Sequence, residues 1–241
     1  MEPANPGITS SLDRPLDMPK SADMPARLIP ALARLWEKCR ASRISFCLVL
    51  IRSLYFYLRG RNILCGNGVT VYGLKNIFVS DSIEIAIRPI GFVNRHDRTF
   101  LNVGGVLHFR GRFSVGRGCR LDIGENAVAS FGSGYISANT TFVIMHGITV
   151  GDGCAIAWGC HFLDKDFHDL QYPGRTAAGD KRIEIGSKVW IGCNVSVLKG
   201  AVIPDGCVVA SGSVVRSKFH VKNALIAGNP ARIIKGNVTW Q

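Results

Sequence analysis

The sequence contains no apolar run of the about 20 residues that a membrane-spanning helix requires. Its most apolar stretch, residues 44–58, is shorter than that and carries Arg52 near its middle. The first 30 residues are polar and rich in proline, and they lack the apolar core of a secretory signal. We therefore expect a cytoplasmic protein.

Cysteine pairs at metal or redox spacing are also lacking. The chain has eight cysteines, and none forms a CxxC pair. We expect them to be reduced, small apolar fillers rather than a disulfide framework. The formal net charge is +12, yet no zinc-finger spacing, basic zipper or RNA-binding aromatic motif accompanies it. Phosphate-bearing substrates or anionic lipid are therefore favoured over nucleic acid, which we do not expect as a partner.

Composition divides the chain into three parts. Residues 1–25 lack periodicity and are rich in proline and serine, which predicts a disordered leader. Residues 26–62 are basic and apolar with helical spacing up to about Arg59. Two alternatives remain open for this segment: a helix packed on one end of a β-domain, or an interfacial helix that contacts membrane through residues 40–61. The second alternative would place the protein at the inner membrane surface. Residues 63–241 form the third part.

Branched aliphatic residues recur every six residues in the C-terminal half. One block reads Ile185, Ile191, Val197, Ile203, Val209 and Val215. Small or slender residues stand four positions after the first five of them, namely Val189, Val195, Ala201, Cys207 and Ser213. An upstream block keeps the same period in another register, with Ile144, Val150, Ile156 and Phe162. Around Val115 and Ile123 the pattern survives only in fragments.

This period predicts a solenoid of short strands and turns. Each six-residue unit would turn one branched side chain inward, and each coil would cover the next. An ordinary half-buried strand would instead alternate with a period of two. Fully burying one such side chain stabilises the fold by about 1.5–3 kcal/mol before entropy is counted.

Residues 63–236 resemble the hexapeptide-repeat acyltransferases. The most specific stretches are IEIGSKVWIGCNVSVLKGAVIPDGCVVASGSVV and the ending ALIAGNPARIIK. The closest branch looks like the maltose, galactoside and polysaccharide O-acetyltransferases. The resemblance implies a mainly β fold, a left-handed parallel β-helix. It also implies transfer of an acetyl group from acetyl-CoA to a sugar or glycan hydroxyl, in a homotrimer with its site between two subunits.

Residues 163–184 interrupt the six-residue period, and a site is expected at such an interruption. The interruption contains His168, and a histidine can take the proton of a hydroxyl near neutral pH. The segment DKDFHDLQYPGR resembles the family's catalytic segment, which implies that His168 is the general base and that Arg175 contacts the substrate. Asp166 and Asp164 could orient His168, and ordinary solvation in the loop is the alternative.

The resemblance also assigns the remaining site residues. Asn139 would help to place the acceptor and Trp190 would flank the site, with a turn asparagine and a surface aromatic as the alternatives. A thin pantetheine arm suits small side chains between coils, and cations suit the phosphates of CoA. The residues implied for the donor are Cys193, Ser211, Gly212, Lys218, Arg232 and Lys235. A solvated basic tail is the alternative for the last two.

The sequence leaves three alternatives to an O-acetyltransferase. The same scaffold could acylate the nitrogen of an amino sugar or a small molecule, and it could also be a non-catalytic scaffold. With His146 and His161, His168 could suggest a trihistidine metal site. Their spacing does not look like that of the hexapeptide-repeat carbonic anhydrases, and we expect no metal.

Overall fold

Two helices precede the β-structure. The computed structural model describes residues 24–88, 93–94, 96–168 and 181–241. The predicted leader lies outside these residues, apart from its last two positions. Helix α1 spans Met24–Ala41 and helix α2 spans Phe46–Leu58. The break between them contains Arg43 with a left-handed φ of 52°, and the hydroxyl of Ser45 then caps α2 by accepting a hydrogen bond from the Leu48 amide. Within the described residues, neither helix is long and apolar enough to cross a membrane.

The chain separates into two compact units, Met1–Glu37 and Lys38–Gln241. The described part of the first unit is helical, and the second contains α2 and every strand. The strands in chain order are β1 (Ile63–Cys65), β2 (Val69–Tyr72), β3 (Ile77–Val79), β4 (Ile83–Ile85), β5 (Thr99–Val103), β6 (Val106–Phe109), β7 (Phe113–Val115), β8 (Arg120–Ile123), β9 (Val128–Phe131), β10 (Gly134–Ile136), β11 (Thr141–Ile144), β12 (Gly147–Val150), β13 (Cys154–Ile156), β14 (His161–Leu163), β15 (Ile183–Ile185), β16 (Trp190–Ile191), β17 (Ser196–Leu198), β18 (Val202–Ile203), β19 (Val208–Val209), β20 (Val214–Val215), β21 (Leu225–Gly228) and β22 (Ala231–Lys235).

These strands build three parallel sheets that share one core. Sheet 1 has the order β1-β4-β7-β10-β13-β16-β19-β21-β22, sheet 2 the order β2-β5-β8-β11-β14-β17-β20, and sheet 3 the order β18-β15-β12-β9-β6-β3. Each coil therefore passes from sheet 1 to sheet 2 to sheet 3. Among the described strands, only β22 pairs antiparallel to its neighbour β21. The predicted fold, a left-handed parallel β-helix with an N-terminal helical segment, is confirmed.

The six-residue register points inward as predicted. All six branched residues from Ile185 to Val215 are buried, and so are the five slender residues that follow them by four positions. The branched residues lie one on each strand from β15 to β20, so that six steps cover three faces twice. Because both sets are buried, each coil contributes two inward columns per face to a continuous core.

The upstream coils are longer, which explains why the sequence period fades there. Phe113, Gly134 and Cys154 pair in register on sheet 1, so successive coils contain 21 and 20 residues. Trp190 and Val208 pair in the same sheet with a coil of 18 residues. The longer coils enclose phenylalanines, including Phe142, in addition to valine and isoleucine. An extra two or three residues per coil break a strict period of six without disturbing the stacking.

Two insertions leave the regular coil at different edges. We name each edge by the sheets that it joins, in the direction of the chain. The first insertion, residues 86–98, lies between β4 and β5 at edge 1/2, and the sequence pattern did not reveal it. The second lies between β14 and β15 at edge 2/3 and contains the predicted catalytic segment.

Helix α2 covers the first coil. Its Val49 and Phe56 are buried, and Phe56 belongs to the same core as Ile63 and Cys65. The Cys65 amide donates to the hydroxyl of Ser53 at 3.2 Å. The helix therefore closes one end of the β-helix, where the innermost apolar groups would otherwise face water.

The stacked pair Phe142–Phe162 allows a test of the inward register of the core. Their ring centroids lie 4.2 Å apart with an interplanar angle of 1°, and both side chains are fully buried. We expect Phe162→Ala to destabilise the fold by about 3–5 kcal/mol because it opens a cavity between two coils. Urea unfolding followed by circular dichroism measures the loss. The control Val221→Ala changes an exposed side chain and should cost about 0.5 kcal/mol or less; equal losses in the two variants would contradict the inward register.

Candidate functional site at two edges of the prism

The second insertion is anchored where it leaves sheet 2. The carboxylate of Asp164 is fully buried and accepts hydrogen bonds from the amides of Met145, His146 and Gly147 at 2.7, 2.8 and 2.7 Å. These three amides form the turn of the preceding coil, so Asp164 joins two coils at edge 2/3. Its role is structural, and the prediction that Asp164 orients His168 is wrong because its oxygens are occupied by this turn.

A second carboxylate of the insertion is also occupied. The side chain of Asp166 forms an ion pair with Lys199, which follows β17 in the next coil. Both side chains are about half exposed, so this pair contributes little stability. The ion pair does connect the start of the insertion to the next coil. The role of Asp166 in orienting His168 stays a prediction, and the ion pair with Lys199 is the contact that this carboxylate makes here.

His168 itself is exposed on the insertion, at edge 2/3. It follows Phe167, whose backbone φ is 61° and whose side chain is also exposed. A histidine in this position is open to a substrate that approaches from solvent or from a second protein copy. Arg175, the predicted substrate contact, lies outside the described residues.

The predicted donor residues Cys193, Ser211 and Gly212 come together at edge 1/2. The Cys193 thiol donates to the Ser211 hydroxyl at 3.3 Å, and the Gly212 amide donates to the Cys193 carbonyl at 2.9 Å. Cys193 is partly exposed, and Ser211 and Gly212 are exposed. Two neighbouring coils thus present small side chains and backbone groups side by side, which suits a thin ligand with amide groups.

The predicted phosphate contacts are spread more widely. Arg232 on β22 pairs with Ala227, which adjoins edge 1/2 directly below the Ser211 coil. Lys235 pairs with Leu225 at the opposite end of the same strands. Lys218 bridges to Val202 on sheet 3. Of the three cations, Arg232 is the one that this arrangement brings towards the donor residues.

Asn139 has a packing role that the sequence-based assignment did not include. It turns the chain at edge 1/2 with a φ of 57°. A Cβ on Gly118 in the preceding coil would lie 1.9 Å from the Asn139 side-chain oxygen, so the amide occupies the space that this glycine leaves free. Asn194 relates to Gly159 in the same way, at 2.3 Å. Asn139 thus belongs to a repeated Asn-over-Gly device, on a different edge from His168.

Two exposed tryptophans lie near edge 1/2, of which Trp190 was predicted and Trp158 was missed. Trp190 is 43% exposed on the outer face of sheet 1 and packs against Trp240, with ring centroids 6.3 Å apart. The indole N–H of Trp240 donates to the Lys188 carbonyl at 2.8 Å, so the C-terminal tail is held there. Trp190 lies on the strand that leads to the Cys193 turn, and its predicted place beside the donor site stays a prediction. Trp158 was missed, although it is exposed and directly precedes Cys193 in the stack of edge 1/2. The signal was hidden because the insertion separates their coils in sequence.

The cysteines differ sharply in their environment. All eight are free thiols. Burial raises the pKa of the Cys119 thiol to about 12 and that of the Cys160 thiol to about 11. Both are therefore protonated and unreactive near neutral pH. Cys193 is partly exposed and Cys47 on α2 is exposed, so these two thiols are accessible from solvent.

The two other histidines of the possible trihistidine site, His146 and His161, have different environments. His146 belongs to the turn held by Asp164, and His161 is exposed on the outer face of sheet 2. In the part of the chain that the structure describes, no group of three or more potential ligands could hold a metal ion.

The predicted base and the donor residues occupy different edges of one prism. His168 stands at edge 2/3, whereas Cys193 and Ser211 stand at edge 1/2. Sheet 2 separates these edges, so one copy of the chain does not bring the two groups together. The arrangement can unite them where edge 2/3 of one copy faces edge 1/2 of another.

Several known proteins are similar to this chain in sequence or in fold. The family described as bacterial transferase hexapeptide (six repeats) matches residues 182–217. An uncharacterized 24.8 kDa protein in the cps region of Klebsiella pneumoniae is 36% identical over 218 residues, which cover 89% of this chain and 98% of that protein. The putative lipopolysaccharide biosynthesis O-acetyl transferase WbbJ of Escherichia coli (strain K12) is 31% identical over 148 residues, 56% of this chain and 74% of that protein.

Among solved structures, AntD, an N-acyltransferase from Bacillus cereus, superposes with a TM-score of 0.50. It is 16% identical, and the match covers 76% of this chain and 87% of AntD, which shows the fold alone. The repeat, the fold and the E. coli relative, of which this chain covers 74%, agree. This chain belongs to the hexapeptide-repeat acyltransferase family, in its O-acetyltransferase branch.

Proposed function

We propose that this protein transfers the acetyl group of acetyl-CoA to a hydroxyl of a sugar or glycan precursor, with His168 as the general base. The observation that carries the proposal is the exposed histidine on the insertion at edge 2/3, on a scaffold whose edge 1/2 presents Cys193, Ser211 and Gly212 side by side. The name of the E. coli relative, a putative O-acetyl transferase of lipopolysaccharide biosynthesis, supports a glycan as the acceptor.

The chemistry needs a base and a leaving group that can be reprotonated. The imidazole of His168 takes the hydroxyl proton as the acceptor oxygen attacks the thioester carbonyl. The carbon–sulfur bond then breaks, and the CoA sulfur leaves with the proton that the imidazolium returns. The products are the acetyl ester and free CoA, and His168 is neutral again. We keep Asp166 as the carboxylate proposed to orient His168, whereas Asp164 is held by the turn of the preceding coil.

We also propose that the site forms between two copies in a homotrimer. Support comes from the separation of His168 and Ser211 on different edges of one prism. A closed cyclic assembly of three copies would place one pair of facing edges at each of its interfaces. Asn139 and Arg232 share edge 1/2 with the donor residues and remain predicted contacts.

The cytoplasm is the compartment that we propose for this reaction. Acetyl-CoA is consumed as the donor, and the eight cysteines are free thiols. Three predictions test the site.

His168→Ala should lower acetyl-CoA turnover by about 10²- to 10⁴-fold because general-base catalysis is removed. Release of free CoA, measured with a panel of sugars, reports the effect. The control His108→Ala changes a histidine that stacks on Phe78 in sheet 3, coils away from the insertion, and it should retain turnover. Full activity in His168→Ala would refute the assigned base. Turnover of amino sugars but not of their hydroxyl counterparts would instead indicate an N-acyltransferase, and no turnover at all a scaffold.

Acetyl-CoA should protect the Cys193 thiol from alkylation, because its pantetheine arm would cover edge 1/2. At a ligand concentration ten times the dissociation constant, we expect labelling by iodoacetamide to slow about tenfold. Cys47 on α2 is an internal reference whose labelling should not change. Mass spectrometry of peptides quantifies both sites. Binding of acetyl-CoA without protection of Cys193 would place the donor elsewhere.

Mixing two inactive variants tests the shared site. We pair His168→Ala with Ser211→Trp, which fills the donor edge with a bulky side chain at an exposed position. If each site uses one edge from each of two copies, coexpression should restore about one quarter of wild-type turnover, because random assembly pairs two intact edges with that frequency. Circular dichroism checks that both variants fold. Mixed assemblies without recovered activity would locate the whole site in one copy.

A further inference from the structure

Helix α2 presents a continuous apolar face to solvent. At 100° per residue, the exposed side chains fall on one arc of the helix, except for Tyr57, which is exposed and lies about 60° beyond Leu54, outside the margin of that arc. Ile51 and Leu58 are the most exposed of them within this arc, at 64% and 75%. The members of the face are Cys47, Leu48, Ile51, Leu54, Tyr55 and Leu58. We call this the outer face of α2.

The opposite side of the helix carries its two polar side chains. Arg52 donates to the Val69 carbonyl at 2.6 Å, and the Ser53 hydroxyl accepts from the Cys65 amide at 3.2 Å. Val49 and Phe56 are buried on the same side. The packed side thus holds both polar and apolar groups, whereas the outer face lacks the polar side chains that usually face water. Packing on the first coil uses the polar side, so core burial does not explain the six apolar residues of the outer face.

Positive charge flanks the outer face at both ends. Between residues 38 and 80 the sequence contains no aspartate or glutamate. Arg43 is exposed just before α2, and Arg59 is exposed just after it. The Arg59 guanidinium lies 4.8 Å from the centroid of the Tyr55 ring, at the margin of the outer face. An apolar stripe with cations at its ends complements a phase that has an apolar interior and a negatively charged surface.

We propose that the outer face of α2 binds the surface of an anionic lipid bilayer. The apolar side chains enter the boundary between headgroups and acyl chains, while the flanking arginines contact lipid phosphates. The packed side of the helix stays on the first coil, so the β-helix rests on the membrane with this end towards it. A protein partner would use the apolar stripe equally well, but the charge at both ends favours lipid. This inference does not depend on the proposed reaction.

Vesicle co-sedimentation of the full chain tests the proposal. Wild type should sediment with vesicles of phosphatidylglycerol and phosphatidylcholine in equal parts, and much less with phosphatidylcholine alone. The double variant Ile51→Glu/Leu58→Glu should bind at least about tenfold more weakly, because charged groups replace the two most exposed apolar residues of the face. Arg43→Ala and Arg59→Ala should each weaken binding by about fivefold. Point changes are used because deleting α2 would uncover the first coil.

A matched control separates the apolar face from net charge. Tyr72→Glu/Val221→Glu alters two exposed apolar residues outside α2 and adds the same charge. This control should keep at least about half of the wild-type affinity, since only the weak long-range attraction changes. Wild type that fails to bind the anionic vesicles overturns the proposal, as does an equal loss in both double variants.

Light scattering of the same proteins completes the test. The proposal expects the oligomeric state to be the same in wild type and in Ile51→Glu/Leu58→Glu. A variant that falls to a smaller assembly would show that the outer face joins copies of this chain, and would overturn the assignment to lipid.

Discussion

Stacking of side chains inside the β-helix is the constraint on which the rest of the structure depends. A coil of three short strands has few hydrogen bonds of its own, and its backbone groups are satisfied by the coils above and below it. The parallel register is kept because each inward residue covers its counterpart one coil away, as Phe142 covers Phe162. Residues such as Val197 and Val215 continue the same column with smaller side chains. Close packing of such an interior allows changes only at the corners.

The residues proposed for function accordingly lie at the corners. The insertion that carries His168 leaves edge 2/3, and it does so over a carboxylate, Asp164, that fastens two coils together. The turns at edge 1/2 present Cys193 and Ser211 in neighbouring coils. Rigid stacking fixes the distance between these groups within a copy. A site that needs both edges must be completed by assembly, since the prism cannot bend to bring them together.

The helix that closes the first coil shows how one element can serve two environments. Its polar residues, Arg52 and Ser53, satisfy backbone groups at the open end of the β-helix. Val49 and Phe56 pack on the first coil beside them, and six further apolar residues face outward, with Arg43 and Arg59 at the ends. A helix that serves only as a cap would be stabilised by the reverse arrangement. The apolar character of the outward side is explained if that side also contacts an apolar phase.

Much of the fold could be read from the sequence because the inward column is a local, repeating requirement. Each coil from Ile185 to Val215 must supply a branched residue every six positions, whatever the rest of the chain does. The same logic located the insertion around His168. It missed the 20- and 21-residue coils, since phenylalanines such as Phe131 fill a wider interior and release the chain from the period of six.

The partners of the site residues were decided by tertiary structure alone. The sequence places Asp164 and Asp166 beside His168, yet stacking gives the first to a turn 18 residues upstream and the second to Lys199, 33 residues downstream. Asn139 likewise fills the space over Gly118. Contacts between coils join residues that are one turn of the solenoid apart in sequence. A local sequence motif does not extend over that separation. The sequence by itself determined the repeat, the position of the insertion and the chemical types of the candidate residues; the stacking of coils decided which edge each residue occupies and what it touches.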